Sequence, residues 1–316
     1  MAENRMYYSY SEYLKEKYGQ KVYKLPVNLP VSCPNRKEGA GCSFCAEEGT
    51  GFEAADSMET VSGQLKSSRE KVEKRYHAKR FIAYFQNYTN TFLPLEQLMA
   101  YMREAGNVDN IVEICLSTRP DCIRRDYLEA MADFREKTGI QVSLELGLQT
   151  VNYHTLRAVN RGHGLAEFLD AVLTIAPYHF PVCVHMILNL PGDTMEDAKE
   201  AAKILSALPV SMVKLHSLYI PKKSVLYQEY RNGRISICSK EEYLERLAEF
   251  IALLRPDIAV ERLFARIPEK DSAFCNWGHS WWKLMDEWKA LMEEKQYVQG
   301  IHCDYLNGAA LNRWGL

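Results

Sequence analysis

The sequence predicts an α/β fold, a partial or complete (β/α)6 barrel of the TIM type with an extension at each end. Short β-rich runs alternate with amphipathic helical runs from about residue 24 to residue 255. Several β-rich runs are apolar on both faces, which is typical of strands in a parallel sheet covered by helices. Six such units in series indicate a parallel barrel, and barrels of this type carry their chemistry at the C-terminal ends of the strands.

The order of the predicted elements divides the chain into three segments. Residues 1–22 are an N-terminal extension with a short helix, residues 23–256 form the barrel, and residues 257–316 form a C-terminal extension. This last segment contains a further strand at 259–267 and a Trp-rich helix at 280–295. The predicted barrel strands are 24–31, 80–86, 111–117, 141–149, 182–190 and 210–220. The predicted barrel helices are 57–77, 94–105, 125–138, 152–176, 194–207 and 239–254.

Composition and charge indicate a globular protein without a membrane segment. Hydrophobic residues make up 47% and charged residues 25% of the 316 residues, and the net charge of −2 gives no general attraction for nucleic acids. The N-terminus lacks the apolar region of a signal peptide, and no apolar run is long enough to span a bilayer. The odd number of cysteines, nine, disfavours a fully paired disulfide framework. We therefore expect a cytoplasmic protein with reduced thiols.

Three cysteines lie close together directly after the first predicted strand, in the segment CPNRKEGAGCSFC. Cys33, Cys42 and Cys45 have the spacing C-x8-C-x2-C on a loop that contains glycine, and thiolates so placed can hold a metal centre. Three thiolates can ligate three irons of a [4Fe–4S] cluster and leave the fourth iron open. Structural zinc takes a fourth protein ligand, and the next Cys or His downstream is His77. The spacing alone leaves both metals open.

The cysteine segment and a series of other motifs resemble the radical SAM superfamily. The long first gap of the triplet is similar to that of the bacterial YhcC/YtqA-like family and of the catalytic subunit of Elongator, and differs from the usual C-x3-C-x2-C. The resemblance to the YhcC/YtqA-like family covers nearly the whole chain and implies the partial form of the barrel, whereas the resemblance to Elongator is narrower. The motifs that carry the resemblance to the YhcC/YtqA-like family are YGQKVYKL (18–25), AYFQNYTNTF (83–92), STRPDC (117–122), ELGLQT (145–150), NRGH (160–163), NLPGDT (189–194) and VKLHSLYI (213–220).

The resemblance implies two cofactors, a [4Fe–4S] cluster and S-adenosylmethionine. In this superfamily an electron from the cluster breaks the sulfonium C–S bond, and the resulting 5′-deoxyadenosyl radical abstracts hydrogen from a substrate. Cys33, Cys42 and Cys45 match the cluster ligands and therefore the catalytic centre. Phe44 matches the aromatic residue that packs on the adenine. The resemblance also implies an electron donor such as flavodoxin or ferredoxin.

Polar residues at the ends of the second and third strands match contacts to S-adenosylmethionine. The superfamily usually carries Gly-Gly-Glu after the second strand, where this chain reads YFQNYT. Gln86 is therefore expected to substitute for that motif, together with its neighbours Asn87 and Thr89. Ser117 and Thr118 end the third strand, where related enzymes contact the ribose.

Four residues of the fourth and fifth units complete the predicted cofactor site. Gln149 and Arg161 keep the twelve-residue offset seen in oxygen-independent coproporphyrinogen oxidases, where such a pair contacts the ribose and carboxylate of S-adenosylmethionine. His185 falls at a further ribose-contacting position, and Glu145 on a barrel strand suggests a polar interior or a buried pair. Without the resemblance, Arg161 would be interpreted as a surface salt bridge and His185 as a core residue.

The resemblance to Elongator suggests a substrate, the C5 side chain of a tRNA wobble uridine. Two local clusters of basic residues are compatible with RNA binding, although they are also typical of solvated helix faces. The clusters are Arg69, Lys71, Lys74, Arg75, Lys79 and Arg80, and Lys222, Lys223, Arg231 and Arg234. Two hypotheses compete with a tRNA-modifying enzyme: a radical SAM enzyme that acts on a small metabolite or a protein, and a non-enzymatic zinc-binding protein.

Overall fold

A computed structural model describes residues 5–45, 56–267 and 272–314, and within these residues the main sheet is parallel and has seven strands. The strands are β1 (Tyr23–Val27), β2 (Phe81–Phe85), β3 (Ile111–Thr118), β4 (Gln141–Gln149), β5 (Val182–Ile187), β6 (Met212–His216), β7 (Tyr219–Pro221), β8 (Ala259–Arg262) and β9 (Ser272–Cys275). The order in the sheet is β1-β2-β3-β4-β5-β6-β8, while β7 and β9 form a separate antiparallel pair. The predicted partial barrel is confirmed, and the strand predicted at 259–267 in the C-terminal extension is observed as β8, which joins the barrel sheet as its seventh strand.

Helices follow the strands in the predicted alternation. They are α1 (Tyr10–Tyr18), α2 (Pro34–Lys37), α3 (Val61–Tyr76), α4 (Leu95–Gly106), α5 (Arg125–Thr138), α6 (Tyr153–Ala158), α7 (Leu165–Ile175), α8 (Met195–Ala207), α9 (Val225–Arg231), α10 (Lys240–Leu253) and α11 (Trp281–Glu294). The helix predicted at 152–176 is divided into α6 and α7, because Asn160 and Gly162 adopt positive φ angles between them. Among the described residues, none of the helices combines the length and apolarity needed to cross a bilayer.

Side chains alternate along each strand between the layer of helices and the concave interior of the sheet. On β4, Leu144 and Leu146 pack in the main core under the helices, whereas Glu145 between them points inward. The sheet curls so far that Lys24 on β1 lies 2.6 Å from Glu261 on β8, although these strands are not neighbours in the sheet. The interior is therefore narrow and polar in its middle, which differs from the expectation of strands that are apolar on both faces.

The helix α1 packs against the N-terminal ends of the strands. It begins with a capping box of Ser9 and Glu12, which satisfies backbone N–H groups that a helix start leaves unpaired. Leu14 packs in an interior cluster with residues of β2 and β3. The N–H of Val260 on β8 donates to the carbonyl oxygen of Tyr8 at 2.8 Å. The predicted N-terminal helix is thus observed, and it covers the end of the barrel opposite the C-terminal edge.

The C-terminal segment also packs on the barrel. Trp288 and Leu284 of α11 are buried in the main core, and the ring of Trp288 meets that of Tyr7 edge-on at 5.7 Å between centroids. The strand β9 pairs with β7 so that Tyr219 lies opposite Cys275. The segment boundaries at residues 22 and 256 stay predictions.

Candidate functional site

The cysteine triplet lies at the C-terminal edge of the sheet. Cys33 follows β1 and caps the short helix α2, which begins with Pro34. Cys42 is 4% exposed, and Cys33 and Cys45 are half-buried. The loop is thus placed at the edge where a barrel of this type carries its chemistry.

Hydrogen bonds from other units of the barrel hold the cysteine loop in place. The N–H of Ser43 donates to the carbonyl oxygen of Val159 at 2.9 Å, and the amide of Asn160 donates to the carbonyl oxygen of Gly41 at 2.8 Å. On the other side, the N–H of Leu226 donates to the carbonyl oxygen of Ser43 at 2.7 Å. The loop is therefore fixed between the segments that follow β4 and β7.

Donor groups surround the sulfur of Cys42. Nη1 of Arg161 and Nδ2 of Asn35 each lie 3.5 Å from this Sγ. A hydrogen bond from the Cys45 thiol is the largest influence, and together with Arg161 it outweighs burial and lowers the pKa of Cys42 to about 5. The same hydrogen bond raises the pKa of Cys45. One of the two neighbouring sulfurs is therefore held as a thiolate, the form that binds metals.

Arg119 contacts the triplet from the end of β3 and was missed by the sequence analysis. Its Nη1 lies 3.9 Å from the Sγ of Cys33 and donates to the carbonyl oxygen of Arg161 at 2.9 Å. Asp121 holds the guanidinium in a bidentate pair with N–O distances of 2.9 and 2.7 Å. The sequence feature that could have indicated Arg119 is an Arg-x-Asp sequence immediately after a predicted strand, at the edge of the sheet where the site was expected.

The structure brings Arg161 and Gln149 together beside Cys42. Arg161 is 6% exposed, makes no ion pair with the described residues, and donates from Nη2 to the carbonyl oxygen of Gly147 at 2.6 Å. A Cβ atom added at Gly147 would lie 2.7 Å from both Arg161 Nη2 and Gln149 Nε2. The interpretation of Arg161 as a surface salt bridge is therefore wrong. Its Nε is buried without a hydrogen-bond partner, which suits a fork that awaits an anionic ligand.

Glu145 lies at the centre of a buried polar network in the barrel interior. Its carboxylate is 2.5 Å from Nζ of Lys24, 3.3 Å from Nζ of Lys214, 2.6 Å from the hydroxyl of Tyr84 and 2.5 Å from Nε2 of His185. Burial alone would raise the pKa of Glu145, but the two ammonium groups and His185 hold it well below its usual range. The predicted polar interior is confirmed, and this carboxylate is fully occupied by protein groups.

A second carboxylate balances the charge of the interior. Glu261 lies 2.6 Å from Nζ of Lys24 and 3.0 Å from Nζ of Lys214, so that two acids face two ammonium groups. Burial lowers the pKa of His185 despite the opposing contact with Glu145. The ring of His216 lies 5.6 Å from that of His185, between centroids. The ribose contact of His185 stays a prediction.

The two residues that end β3 point in opposite directions. Ser117 donates from its hydroxyl to that of Tyr84 at 3.1 Å and therefore faces the interior. The hydroxyl of Thr118 pairs with that of Thr91 at 2.5 Å on the helix side of the sheet. Because strand side chains alternate, the predicted ribose contact of the Thr118 side chain is not supported by this geometry.

Gln86 and its neighbours stand at the mouth of the barrel. The N–H of Gln86 donates to the carbonyl oxygen of Val27 at 3.1 Å, and its side chain is half-buried. Asn87 donates from Nδ2 to Asn28 at 2.8 Å, while its own Oδ1 is buried without a partner. This stretch presents amide groups where the superfamily usually has Gly-Gly-Glu, and the role of Gln86 stays a prediction.

Phe44 packs in a small apolar cluster at the same edge. The buried members of this cluster are Val159, Ile187, Leu190, Leu218, Ile220 and Leu226. The cluster lies between the cysteine loop and the segment after β6, so that an apolar surface adjoins the triplet. The adenine contact of Phe44 stays a prediction.

A second group of candidate metal ligands lies in the barrel interior. Three candidate ligand atoms within 4.8 Å of one another occur, in the described part of the chain, at Glu145, Cys183 and His185, and not in the triplet. The ammonium groups of Lys24 and Lys214 already neutralise Glu145, which disfavours a cation there. Of the two groups, the triplet is therefore the candidate metal centre.

Comparison with known proteins identifies the family. Residues 27–205 match the radical SAM superfamily, and residues 210–294 match the Radical_SAM C-terminal domain. The chain is 32% identical to Protein YhcC of Escherichia coli over 291 residues, which cover 91% of this chain and 92% of that protein. It is 28% identical to Uncharacterized protein YtqA of Bacillus subtilis, with 94% and 92% covered. The predicted resemblance to this group is confirmed.

Relatives of the Elongator type are more distant. The archaeal Elp3 of Methanocaldococcus infernus has a TM-score of 0.67 at 18% identity, covering 93% of this chain and 68% of that one, and this likeness shows the fold. A tRNA uridine(34) acetyltransferase of Dehalococcoides mccartyi is 24% identical over 160 residues, half of this chain and 34% of that protein. The family match spans more than half of the chain and includes the cysteine loop, so the protein belongs to the radical SAM superfamily.

Proposed function

We propose that Cys33, Cys42 and Cys45 bind a [4Fe–4S] cluster, that S-adenosylmethionine binds beside it, and that the enzyme modifies the C5 side chain of a tRNA wobble uridine. The observation that carries the proposal is the convergence of three thiols with Arg161 and Gln149 at the C-terminal edge of the barrel. Reductive cleavage of S-adenosylmethionine at such a centre supplies a 5′-deoxyadenosyl radical for hydrogen abstraction.

The residues around the triplet suit the two cofactors. Arg161 and Asn35 donate toward the sulfur of Cys42, an arrangement that stabilises thiolate ligands. The unpaired Nε of Arg161 suits the carboxylate of S-adenosylmethionine, because a charged N–H donor forms a strong hydrogen bond with a carboxylate oxygen. A triplet leaves one iron without a protein ligand, which is where the amino acid part of S-adenosylmethionine would bind.

The tRNA substrate is supported by similarity and by local charge. Three relatives that match half of this chain are named tRNA uridine(34) acetyltransferases. Lys222 and Lys223 are exposed just before α9. In this helix, the N–H of Leu226 donates to the carbonyl oxygen of Ser43 in the cysteine loop. The basic cluster around α3 lies near the start of β2, at the opposite end of the barrel. RNA contacts near the reacting base are therefore assigned to the segment after β7.

The proposal concerns the radical step alone. The match to the acetyltransferases covers 34% of the Dehalococcoides protein, and an acetyl transfer is not part of the proposal. A flavodoxin or ferredoxin is the proposed electron donor, since the reaction consumes one electron for each S-adenosylmethionine cleaved.

Anaerobic purification tests the cluster. The wild-type protein is expected to be brown, to contain iron and sulfide, and to release 5′-deoxyadenosine when reduced in the presence of S-adenosylmethionine. Cys42→Ala should abolish the colour, whereas Cys238→Ala, a change at a half-buried thiol outside the triplet, should not. A colourless wild-type protein that holds stoichiometric zinc would contradict the proposal.

The substrate is tested by comparing the modified nucleosides of tRNA from a deletion strain and its parent. We expect a wobble-uridine derivative to change in the deletion strain, to be restored by the wild-type gene, and not to be restored by the Cys42→Ala variant. Identical nucleoside profiles, combined with active cleavage of S-adenosylmethionine in vitro, would point to a metabolite or protein substrate instead.

A further inference from the structure

Arg119 places a buried positive charge beside the cysteine triplet. It follows the last residue of β3 and is 4% exposed. Its Nη1 lies 3.9 Å from the Sγ of Cys33 and 2.9 Å from the carbonyl oxygen of Arg161, whose own guanidinium contacts Cys42. Two guanidinium groups therefore reach two different sulfurs of the triplet, one from the end of β3 and the other from the loop between α6 and α7.

Asp121 determines the direction in which this guanidinium points. Nε of Arg119 donates to one carboxylate oxygen at 2.9 Å and Nη2 donates to the other at 2.7 Å. This leaves Nη1 on the side of Cys33. The side chain of Asp121 is 26% exposed and that of Arg119 is 4% exposed, so the positive end of the pair faces inward and the negative end faces solvent.

The backbone at Gly162 restricts the movement of Arg119. Gly162 has a φ of +78°, and a Cβ atom there would lie 2.7 Å from Oδ1 of Asn35 and 3.1 Å from Nη2 of Arg119. The absence of a side chain lets the loop approach both groups closely. The distance between the guanidinium and Cys33 is therefore set by the fold as well as by Asp121.

A fixed positive charge at this position affects a cluster bound by the triplet. One-electron reduction adds negative charge to the cluster, and nearby cations and N–H donors favour the reduced form. We propose that Arg119 is a positioning residue that raises the reduction potential of the cluster through Cys33, and that Asp121 moderates this effect. The inference rests on the proposed function, because it requires that the cluster is bound.

A second Arg-x-Asp pair in the chain provides a matched control. Nε of Arg124 donates to Asp126 at 3.1 Å, and the two carboxylate contacts repeat those of Arg119 with Asp121. The side chains of Arg124 and Asp126 are 69% and 43% exposed, far more than those of the pair at the triplet. Arg124→Gln therefore removes the same kind of local pair in a setting screened by solvent.

The test is a redox titration of the cluster followed by electron paramagnetic resonance, with iron content measured for each protein. At a fixed potential, Arg119→Gln should lower the ratio of reduced to oxidised cluster about tenfold, which is about 59 mV for one electron. Asp121→Asn should shift the potential in the opposite direction, because it removes the compensating negative charge. Arg119→Lys should restore part of the wild-type value, and Arg124→Gln should leave it unchanged.

The two variants of the pair separate an electrostatic role from a structural one. An unchanged potential in Arg119→Gln would overturn the inference. So would a fall in potential in both Arg119→Gln and Asp121→Asn, because either substitution disrupts a pair whose role is only structural and should then have the same effect. If Arg119→Gln assembles no cluster, a raised potential in Asp121→Asn supports the inference, and an unchanged or lowered one overturns it. A wild-type protein without iron and sulfide contradicts the proposed function itself.

Discussion

Buried polar groups have hydrogen-bond partners in the interior of the barrel, whereas several at its mouth have unpaired atoms. In the interior, Glu145 and Glu261 face Lys24 and Lys214, and each of these charges has partners within hydrogen-bond distance. At the mouth, several buried side-chain atoms of the described residues have no hydrogen-bond partner. These atoms lie in the segments that follow β2, β4 and β5. They are Asn87 Oδ1, Asn90 Oδ1, Arg161 Nε, His163 Nε2, Asn189 Nδ2 and Asp193 Oδ1.

Most of the unpaired buried atoms lie at the mouth, and two others, Arg246 Nε on α10 and Trp288 Nε1 on α11, lie among the helices. A buried polar group without a partner costs about 1–3 kcal/mol, so a folded protein retains such groups where a bound molecule satisfies them or where function requires them. The paired charges of the interior therefore support the barrel, and the unpaired atoms at the mouth lie on the side of the barrel that carries the proposed binding site. Substitutions in the two regions should have opposite effects on stability.

The largest expected effect is in the interior. Glu145→Ala leaves two ammonium groups buried with one carboxylate, and loss of one partner of a buried ion pair costs about 3–5 kcal/mol. Because the network holds the folded pKa of Glu145 well below its usual range, this contribution is present above about pH 4.3 and is lost as pH falls through the lowered folded value. Urea unfolding of the apo protein at pH 7 measures the loss.

A surface pair is the control for this prediction. Glu229 pairs with Arg234 on an exposed part of α9, and Glu229→Ala should leave the unfolding midpoint unchanged. Equal midpoints for wild-type and Glu145→Ala would mean that the interior network contributes nothing to stability, and the contrast between interior and mouth would be lost.

At the mouth, Asp193→Asn should stabilise the apo protein. Burial raises the pKa of Asp193 to about 6, and its Oδ1 lacks a partner. A carboxyl group with a folded pKa of about 6 and an unfolded pKa of about 3.9 binds its proton more tightly when folded, so stability falls as pH rises between these values. The variant should gain up to about 3 kcal/mol at pH 8 and nothing at pH 3.5. A gain that is equal at both pH values would point to a cause other than ionisation.

Gly147→Ala tests the mouth without a change of charge. The added Cβ would displace Nη2 of Arg161 and Nε2 of Gln149, both flexible side-chain ends, so the free energy of unfolding should change little. Affinity for S-adenosylmethionine should fall about tenfold, or about 1.4 kcal/mol. Gly39→Ala, whose nearest contact would be an ordinary 3.8 Å, is the matched control in the cysteine loop. Unchanged affinity in Gly147→Ala would remove Arg161 and Gln149 from the proposed site.

Features that are local in the chain could be predicted from the sequence. The alternation of strands and helices indicated a parallel barrel, whose partial form the family resemblance implied, and the spacing of Cys33, Cys42 and Cys45 indicated a metal-binding loop. The strand at 259–267 was expected, but its pairing with β6 was not, because a short run shows its own conformation and not its neighbour in the sheet.

Features that depend on contacts between distant strands were not predictable. Lys24, Glu145, Lys214 and Glu261 lie in four separate β-rich runs, and only the curl of the sheet brings them together. Arg119 was missed for the same reason, since the sulfur that it approaches is 86 residues away in the chain. Contacts between the ends of different strands depend on how the whole sheet curls. The periodicity of one strand contains no information about them.

The smallest expected effect is at the end of the barrel opposite the mouth. Ser9 begins α1 with a capping box, and Ser9→Ala should lower stability by about 1 kcal/mol in urea unfolding. Ser67→Ala, an exposed position within α3, should have no such cost. Because α1 contacts the N-terminal ends of the strands and not the cysteine loop, Ser9→Ala should leave the affinity for S-adenosylmethionine unchanged. A loss of affinity that accompanies the loss of stability would mean that the two ends of the barrel are coupled, and that the mouth depends on the whole interior.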